Sequence, residues 1–224
     1  MYSGPVAANG FFRLAQDSPP NIVVILGPNH TGVGSGVSVV AEGSWETPLG
    51  EVSMASDVAQ KIQESSQIVD VDEAAHRHEH SIEVQLPFLQ FLYGSKFRLV
   101  PICMMMQDLR TSVEVGEAVA IGVEGKEAVV VASSDMTHYE AQSAAVKKDR
   151  KAIDAILELN EEELQRVVDS EMISMCGYGP VTAGIACAKK LGAKRAELLS
   201  YKTSGDVTGD KGAVVGYASI AIMR

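Results

Sequence analysis

Apolar residues recur along this chain in two rhythms. Short unbroken apolar runs, bounded by proline, glycine or polar residues, predict buried parallel strands over residues 21–26, 68–71, 97–104 and 128–133. The last of these, AVVVAS, reads as the clearest buried strand of all. Between the runs, apolar positions three and four apart predict helices over residues 55–65, 82–93, 113–123, 147–159, 161–168 and 179–191. Pro87 must then lie in a first helical turn or kink its helix. Ser3-Gly4-Pro5 signals an opening helix, with Ser3 as N-cap and proline in the first turn, ending before Ser18-Pro19-Pro20. Residues 37–54 alternate apolar and polar around Gly43 and Gly50, as β-hairpins do. Two further strands, 196–202 and 213–223, close the chain. Without repeats or linker-like stretches, this alternation predicts one α/β domain over residues 1–224, with a largely parallel central sheet flanked by helices.

Composition narrows the function classes. A net charge of −10 argues against a nucleic-acid surface, which needs clustered Lys and Arg to displace phosphate counterions. Lys147, Lys148, Arg150 and Lys151 fall on one predicted helix and read as a solvated face. Cys103, Cys176 and Cys187 show neither CxxC spacing nor even pairing, which disfavours a disulfide framework and a zinc ribbon. No apolar run approaches the roughly 18 residues of a bilayer span. The expectation is a soluble, cytoplasmic protein with neither nucleic-acid nor membrane partners.

The chemistry concentrates in the histidines. All five lie in three places: His30 after the first apolar run, His76, His78 and His80 together, and His138 after the AVVVAS run. Histidines just past the carboxyl ends of parallel strands occupy the place where open α/β sheets build their sites. His30 follows Gly27-Pro28-Asn29 and reads as a ligand or acid–base group, against a plain loop histidine. His76, His78 and His80 alternate, so an extended segment would turn all three to one side; an exposed histidine-rich turn is the competing reading. His80 is favoured as ligand because Glu79 precedes it and Glu83 follows at His-x-x-Glu spacing, and a nearby carboxylate orients an imidazole. Ser133-Ser134-Asp135 and His138 could share one pocket, although Asp135 could equally cap a following helix. Gly32, Gly34 and Gly36 lack the spacing of a phosphate-binding loop and suggest a flexible lid. Asp206 and Asp210 lie in a turn-rich acidic loop that could supply a carboxylate ligand, with a plain turn the better reading of either alone.

Several segments, taken in order, resemble the Memo-like family. They are Tyr2-Ser3-Gly4-Pro5-Val6-Ala7-Ala8, Leu26-Gly27-Pro28-Asn29-His30, Glu79-His80-Ser81-Ile82-Glu83 with Leu86-Pro87, and Ser133-Ser134-Asp135 with His138. Thr203-Ser204-Gly205-Asp206 and Val215-Gly216-Tyr217-Ala218 also fit. That family's fold is similar to class III extradiol dioxygenases, enzymes that use non-haem iron. The resemblance implies a pocket in which His30 and His80 bind a divalent metal, lined by Asp135 and His138. Some members carry a cysteine near the last strand, where Asp206 and Val207 stand here, and the expected third ligand is a carboxylate, Asp135 or Asp206. Fe(II) is the first expectation, with copper and zinc as alternatives; His-His-carboxylate sets leave open positions of the kind Fe(II) oxygenases use. His138 is the expected acid–base group, and Asn29, Glu79, Glu83 and Ser134 are further pocket candidates. The activity implied is metal-dependent oxidoreduction of an unidentified small molecule or peptide. The alternative is a non-catalytic adaptor that keeps the pocket, partnered with a radical-SAM protein or with further copies of itself. Family members usually carry an upstream strand ending in Pro-His-Ala-Gly, where Met1 stands here, so the chain reads as lacking an N-terminal strand.

Overall fold

The side chains of β1 (Ile22–Pro28) divide by parity: Ile22, Val24 and Leu26 enter one apolar layer, Val23 and Ile25 the other. Successive side chains of a strand point to opposite faces, so a run buried on both faces must be apolar throughout. Each fully buried Leu or Ile contributes about 1.5–3 kcal/mol relative to exposure. The computed structural model describes residues 2–224. Met1, where the resemblance locates the Pro-His-Ala-Gly segment, lies outside them.

Before β1 runs α1 (Gly4–Leu14); after it come β2 (Val37–Val39), β3 (Ser44–Thr47), β4 (Gly50–Ser53), α2 (Ser56–Glu64) and β5 (Val69–Val71). Then follow α3 (Leu86–Tyr93), β6 (Arg98–Met104), α4 (Leu109–Val123), β7 (Ala128–Ala132) and β8 (His138–Glu140). The chain ends with α5 (Gln142–Leu157), α6 (Glu161–Ser170), α7 (Tyr178–Lys190), β9 (Arg195–Thr203), α8 (Gly205–Thr208) and β10 (Val214–Met223).

A five-stranded central sheet has the order β5-β2-β6-β1-β7. β1 is parallel to both neighbours, and only the β2–β6 pair is antiparallel. One face is covered by residues of α2, α4 and α7, among them Val58, Ile62, Val119 and Ala183. The other is covered by Phe11, Val52, Ile82, Leu86 and Leu89 from α1, β4 and the α3 region. A separate antiparallel sheet, β8-β10-β9, packs with α5, α6 and α7 around Ile153, Leu164 and Ile185.

The predicted α/β class and mostly parallel sheet are therefore correct, and several details differ. Strands β9 and β10 leave the central sheet because they pair with one another over eight register positions. Residues 37–54 are not one hairpin: β2 joins the central sheet, and only β3 and β4 pair across a turn. β7 is half-buried, since it is the sheet's last strand and only one of its edges is paired. α4 begins four residues before the predicted start because the Asp108 carboxylate caps it, accepting from Thr111 N at 3.1 Å. Pro87 does lie in the first turn of α3, while Ser3 caps α1 with its carbonyl and not its hydroxyl. No described helix is long and apolar enough to cross a membrane.

Candidate metal centre

Parallel pairing aligns the carboxyl ends of neighbouring strands. Leu26 stands opposite Ala132 and Pro28 opposite Met104, so the segments leaving β1 and β7 emerge side by side. Residues 79–82 then close over the end of β1. A side chain at Gly27 would put its Cβ 2.7 Å from Ile82 Cγ1, and Ser81 Oγ donates to the Pro28 carbonyl at 2.9 Å. Only glycine at position 27 lets the two segments approach this closely.

That approach places Glu79 beneath two imidazoles. Its side chain is 1% exposed. Oε1 accepts from His30 Nδ1, His80 N and Ser81 N, each at 2.9 Å, and Oε2 accepts from His30 N. Burial alone would raise the Glu79 pKa, but the bonds from the His30 backbone and ring and from Ser81 overcome it and hold the group at about 2. Because a carboxylate at that pKa only accepts, Nδ1 of His30 carries the proton and Nε2 keeps a free lone pair. His80 turns Nδ1 toward the same oxygen at 3.4 Å, and the two rings stack with centroids 5.0 Å apart. His30, Glu79 and His80 together offer nitrogen and oxygen atoms within 4.8 Å of one another, a group that could hold a metal ion.

Asp135 and His138 come from the segment after β7. His138 N donates to Ser174 Oγ at 2.8 Å, and Nδ1 lies 2.7 Å from the Ser174 carbonyl. A carbonyl only accepts, so this ring too carries its proton on Nδ1 and presents Nε2, which lies 3.8 Å from Asp135 Oδ2. Crowding by surrounding atoms pushes the Asp135 carboxyl above its usual range, opposed by the charges of His138, His80 and His30. All three rings thus act on one carboxylate. Cys176 Sγ accepts from Asp135 N at 3.2 Å, and Ser134 Oγ accepts from Gly177 N at 2.8 Å. Ser174 and Cys176 carry no sequence signal for this place: the segment has no motif, and Cys176 lacks a paired cysteine.

The remaining candidates have other employment. Asn29 builds its own loop, accepting from Thr31 N and Gly32 N and donating to the Val33 carbonyl. Ser134 braces the 174–177 segment, and Glu83 is exposed and lines a neighbouring cleft. Asp206 accepts from Thr203 N at 2.7 Å and from Gln142 at 3.2 Å, serving the β9–α8 junction. The histidine cluster is not extended. A 3-10 turn over Ala74–His76 buries His76 and leaves His78 in solvent, so only His80 of the three reaches the centre. No helix follows Asp135 for it to cap. Nor do the glycines form a lid: Gly34 (φ +90°) packs against Ala75, and Ser35 N donates to Asp72 at 2.8 Å.

Imidazoles and a carboxylate converging at the carboxyl ends of an open sheet define the class: an α/β protein with a side-chain group, His30, Glu79 and His80, that could hold a metal ion. The family follows from comparison. Residues 1–221 match the model of the Memo-like protein family. A MEMO1 family protein of Methanopyrus kandleri is 51% identical, over 100% of this chain and 80% of that protein. Another, from Methanocaldococcus jannaschii, is 53% identical over 99% of this chain and 80% of its own length. The chain belongs to the Memo-like family. An uncharacterized Escherichia coli K12 protein shares the fold, with a TM-score of 0.63 at 15% identity, covering 92% of this chain and 90% of that one.

Proposed function

We propose that the chain binds a divalent metal through Nε2 of His30, Nε2 of His80 and the Asp135 carboxylate, and acts as a metal-dependent oxidoreductase of the non-haem iron type. The carrying observation is the state of Glu79. Its oxygens accept from His30 N, His30 Nδ1, His80 N and Ser81 N, so it serves as the group that holds the His30 ring with Nδ1 inward and Nε2 outward, while His80 Nδ1 lies 3.4 Å from the same oxygen. Asp135 supplies a second carboxylate, 3.8 Å from His138 Nε2 and acted on by the charges of His80 and His30, whose oxygens are not taken by those imidazoles' hydrogen bonds.

Two nitrogens and one carboxylate suit Fe(II), with copper and zinc as competitors for the same donors. Such an ion supplies Lewis acidity and open coordination positions for substrate. The chain's own residues do the rest. Glu79 keeps His30 in one tautomer. His138, its Nδ1–H fixed on the Ser174 carbonyl, presents Nε2 beside Asp135 to take or return a substrate proton. The pocket is reached from solvent, since the His30 and His80 side chains are exposed.

The test is metal affinity by calorimetry and elemental analysis on purified protein, with Fe(II), Cu(II) and Zn(II) in turn. His30→Ala and His80→Ala are each expected to weaken binding roughly 100-fold, while His138→Ala leaves it near wild type and acts on turnover. A protein that retains no metal, with His30→Ala indistinguishable from wild type, overturns the reading and leaves the adaptor role.

A further inference from the structure

Left-handed backbone in the described residues falls to glycine at eight positions and to other residues at three, Tyr139, Leu159 and Met172. Leu159 and Met172 each follow the last turn of a helix, where one left-handed residue commonly stops it. Asn160 N bonds back to the Ala155 carbonyl there, and Ile173 N to that of Val168. Tyr139 stops no helix. It is the extra residue of the bulge by which β8 meets β10, at φ +57°, and it is 79% exposed.

Two things about this residue need a reason: a backbone conformation that favours glycine, and a large ring left in water. The conformation is imposed from behind. Thr137 N donates to the buried Asp149 carboxylate at 2.9 Å, Gly216 N donates to the Thr137 carbonyl at 2.9 Å, and His138 N donates to Ser174 Oγ at 2.8 Å. Backbone pinned in this way cannot relax, and such strain gathers at ligand-binding and active sites. Glycine would follow the same bend without the strain. A tyrosine at this position adds little to the core, and its ring is free to meet a ligand.

The place of the ring says which ligand. Its centroid is 5.8 Å from that of His138, with the planes at 57°, so the two rings make an open corner beside the imidazole that faces Asp135. The nearly buried Tyr217 phenol is pushed up by burial, and further by Asp135 and the neighbouring phenols of Tyr2 and Tyr139, so these four groups share one region. No free cation stands beside Tyr139 to draw an anion: Lys148 is bonded to Glu140 at 2.6 Å and lies 3.3 Å from the Met172 carbonyl. What the corner offers is ring surface, which recognises apolar groups. We propose that Tyr139 is a specificity-determining residue: the Tyr139–His138 corner holds the apolar part, alkyl or aryl, of the small molecule whose polar end lies at the candidate metal centre. The assignment deepens the metal reading and rests on it for the polar end alone.

The probes are acetate, butyrate, hexanoate and phenylacetate, which share a carboxylate head and differ in the apolar group. Each is titrated by calorimetry into metal-free and Zn(II)-loaded protein. In parallel, NMR of protein with labelled tyrosine rings follows the Tyr139 signal, identified by its loss from Tyr139→Phe. Affinity is expected to rise about two- to fourfold with each methylene that reaches the ring. Hexanoate and phenylacetate, but not acetate, are expected to shift the Tyr139 signal. Tyr139→Gly is expected to bind those two about tenfold more weakly and acetate as wild type does, while Tyr139→Phe, which keeps the ring, stays within about twofold of wild type. Glycine suits this backbone, so Tyr139→Gly is expected to melt no lower than wild type, which separates lost contact from lost structure. Tyr139→Asn, which also tolerates the conformation, is expected to behave as the glycine variant does. Zinc uptake on the same samples tests the metal reading by itself; if zinc binds none of the proteins, that reading fails and the comparison is made on the metal-free forms. Hexanoate bound more tightly than phenylacetate assigns the corner to an alkyl group, and the reverse to an aryl group. Affinity independent of the apolar group, unaltered hexanoate binding in Tyr139→Gly, a Tyr139→Phe as weak as the glycine variant, or no saturable binding of any probe overturns the proposal.

Discussion

Glu79 is a structural carboxylate and, in the proposed metal site, the organiser of its ligands, and the two roles can be separated by pH. Its pKa is held at about 2 in the folded protein, against about 4.3 in an unfolded chain. The unfolded state therefore binds the proton more readily, and stability from Glu79 is fully present above about pH 4.3 and lost as pH falls toward 2. Glu79→Gln cannot accept the same set of bonds as an anion. The urea midpoint of the metal-free variant is expected to lie below wild type at pH 7, with the gap narrowing as pH falls through 4 to 3. A gap that stays constant over that range contradicts the assignment. The same variant weakens the bond that holds His30 Nδ1, and metal affinity is expected to drop about 10–100-fold, as for other groups that orient ligating histidines.

Among the strands, β8 is the one that sequence patterning missed. It is three residues long and pairs with β10 through a bulge: Val214 faces Glu140 while the next residue, Val215, faces His138. Tyr139 is the extra residue, at φ +57° and 79% exposed. Bulges occur next to functional sites, where they re-aim neighbouring side chains. Here the bulge lies next to His138, which faces Asp135 and Ser174. The buried Asp149 carboxylate anchors the bend, accepting from Thr137 N at 2.9 Å and Tyr201 OH at 2.7 Å. A left-handed backbone costs a non-glycine residue about 1–2 kcal/mol. Tyr139→Gly is expected to recover about 1 kcal/mol of that in chemical denaturation, offset in part by the greater freedom of glycine in the unfolded chain. A clear loss of stability would show that Tyr139 makes contacts worth more than the strain.

For the molecule as a whole, the three apolar layers determine which groups react. Burial pushes the Cys103 and Cys187 thiols up to about 12, and raises Cys176 as well. At pH 8 an aromatic disulfide reagent should find almost no thiolate in the native protein, with the half-buried Cys176 reacting first and all 3 thiols appearing only in denaturant. Rapid native titration of all of them would mean that the layers open far more readily than their packing implies. The same layers explain what could be read in advance. Apolar periodicity is a local property, and it sufficed for the α/β class, for most helices and for β1 and β6, because burial acts on each residue according to its own face. Histidine placement likewise marked His30, His80 and His138, each after a strand or beside a carboxylate. Tertiary structure alone decided the rest. The bond from His30 to Glu79 spans 49 positions of sequence, and those from His138 to Ser174 span 36. The 3-10 turn over Ala74–His76 took His76 away from His80, pairing with β10 kept β9 outside the central sheet, and bonds from Thr203 and Gln142 held Asp206 in its own turn. Such contacts depend on the register and close approach of distant segments, and no spacing along the chain encodes them.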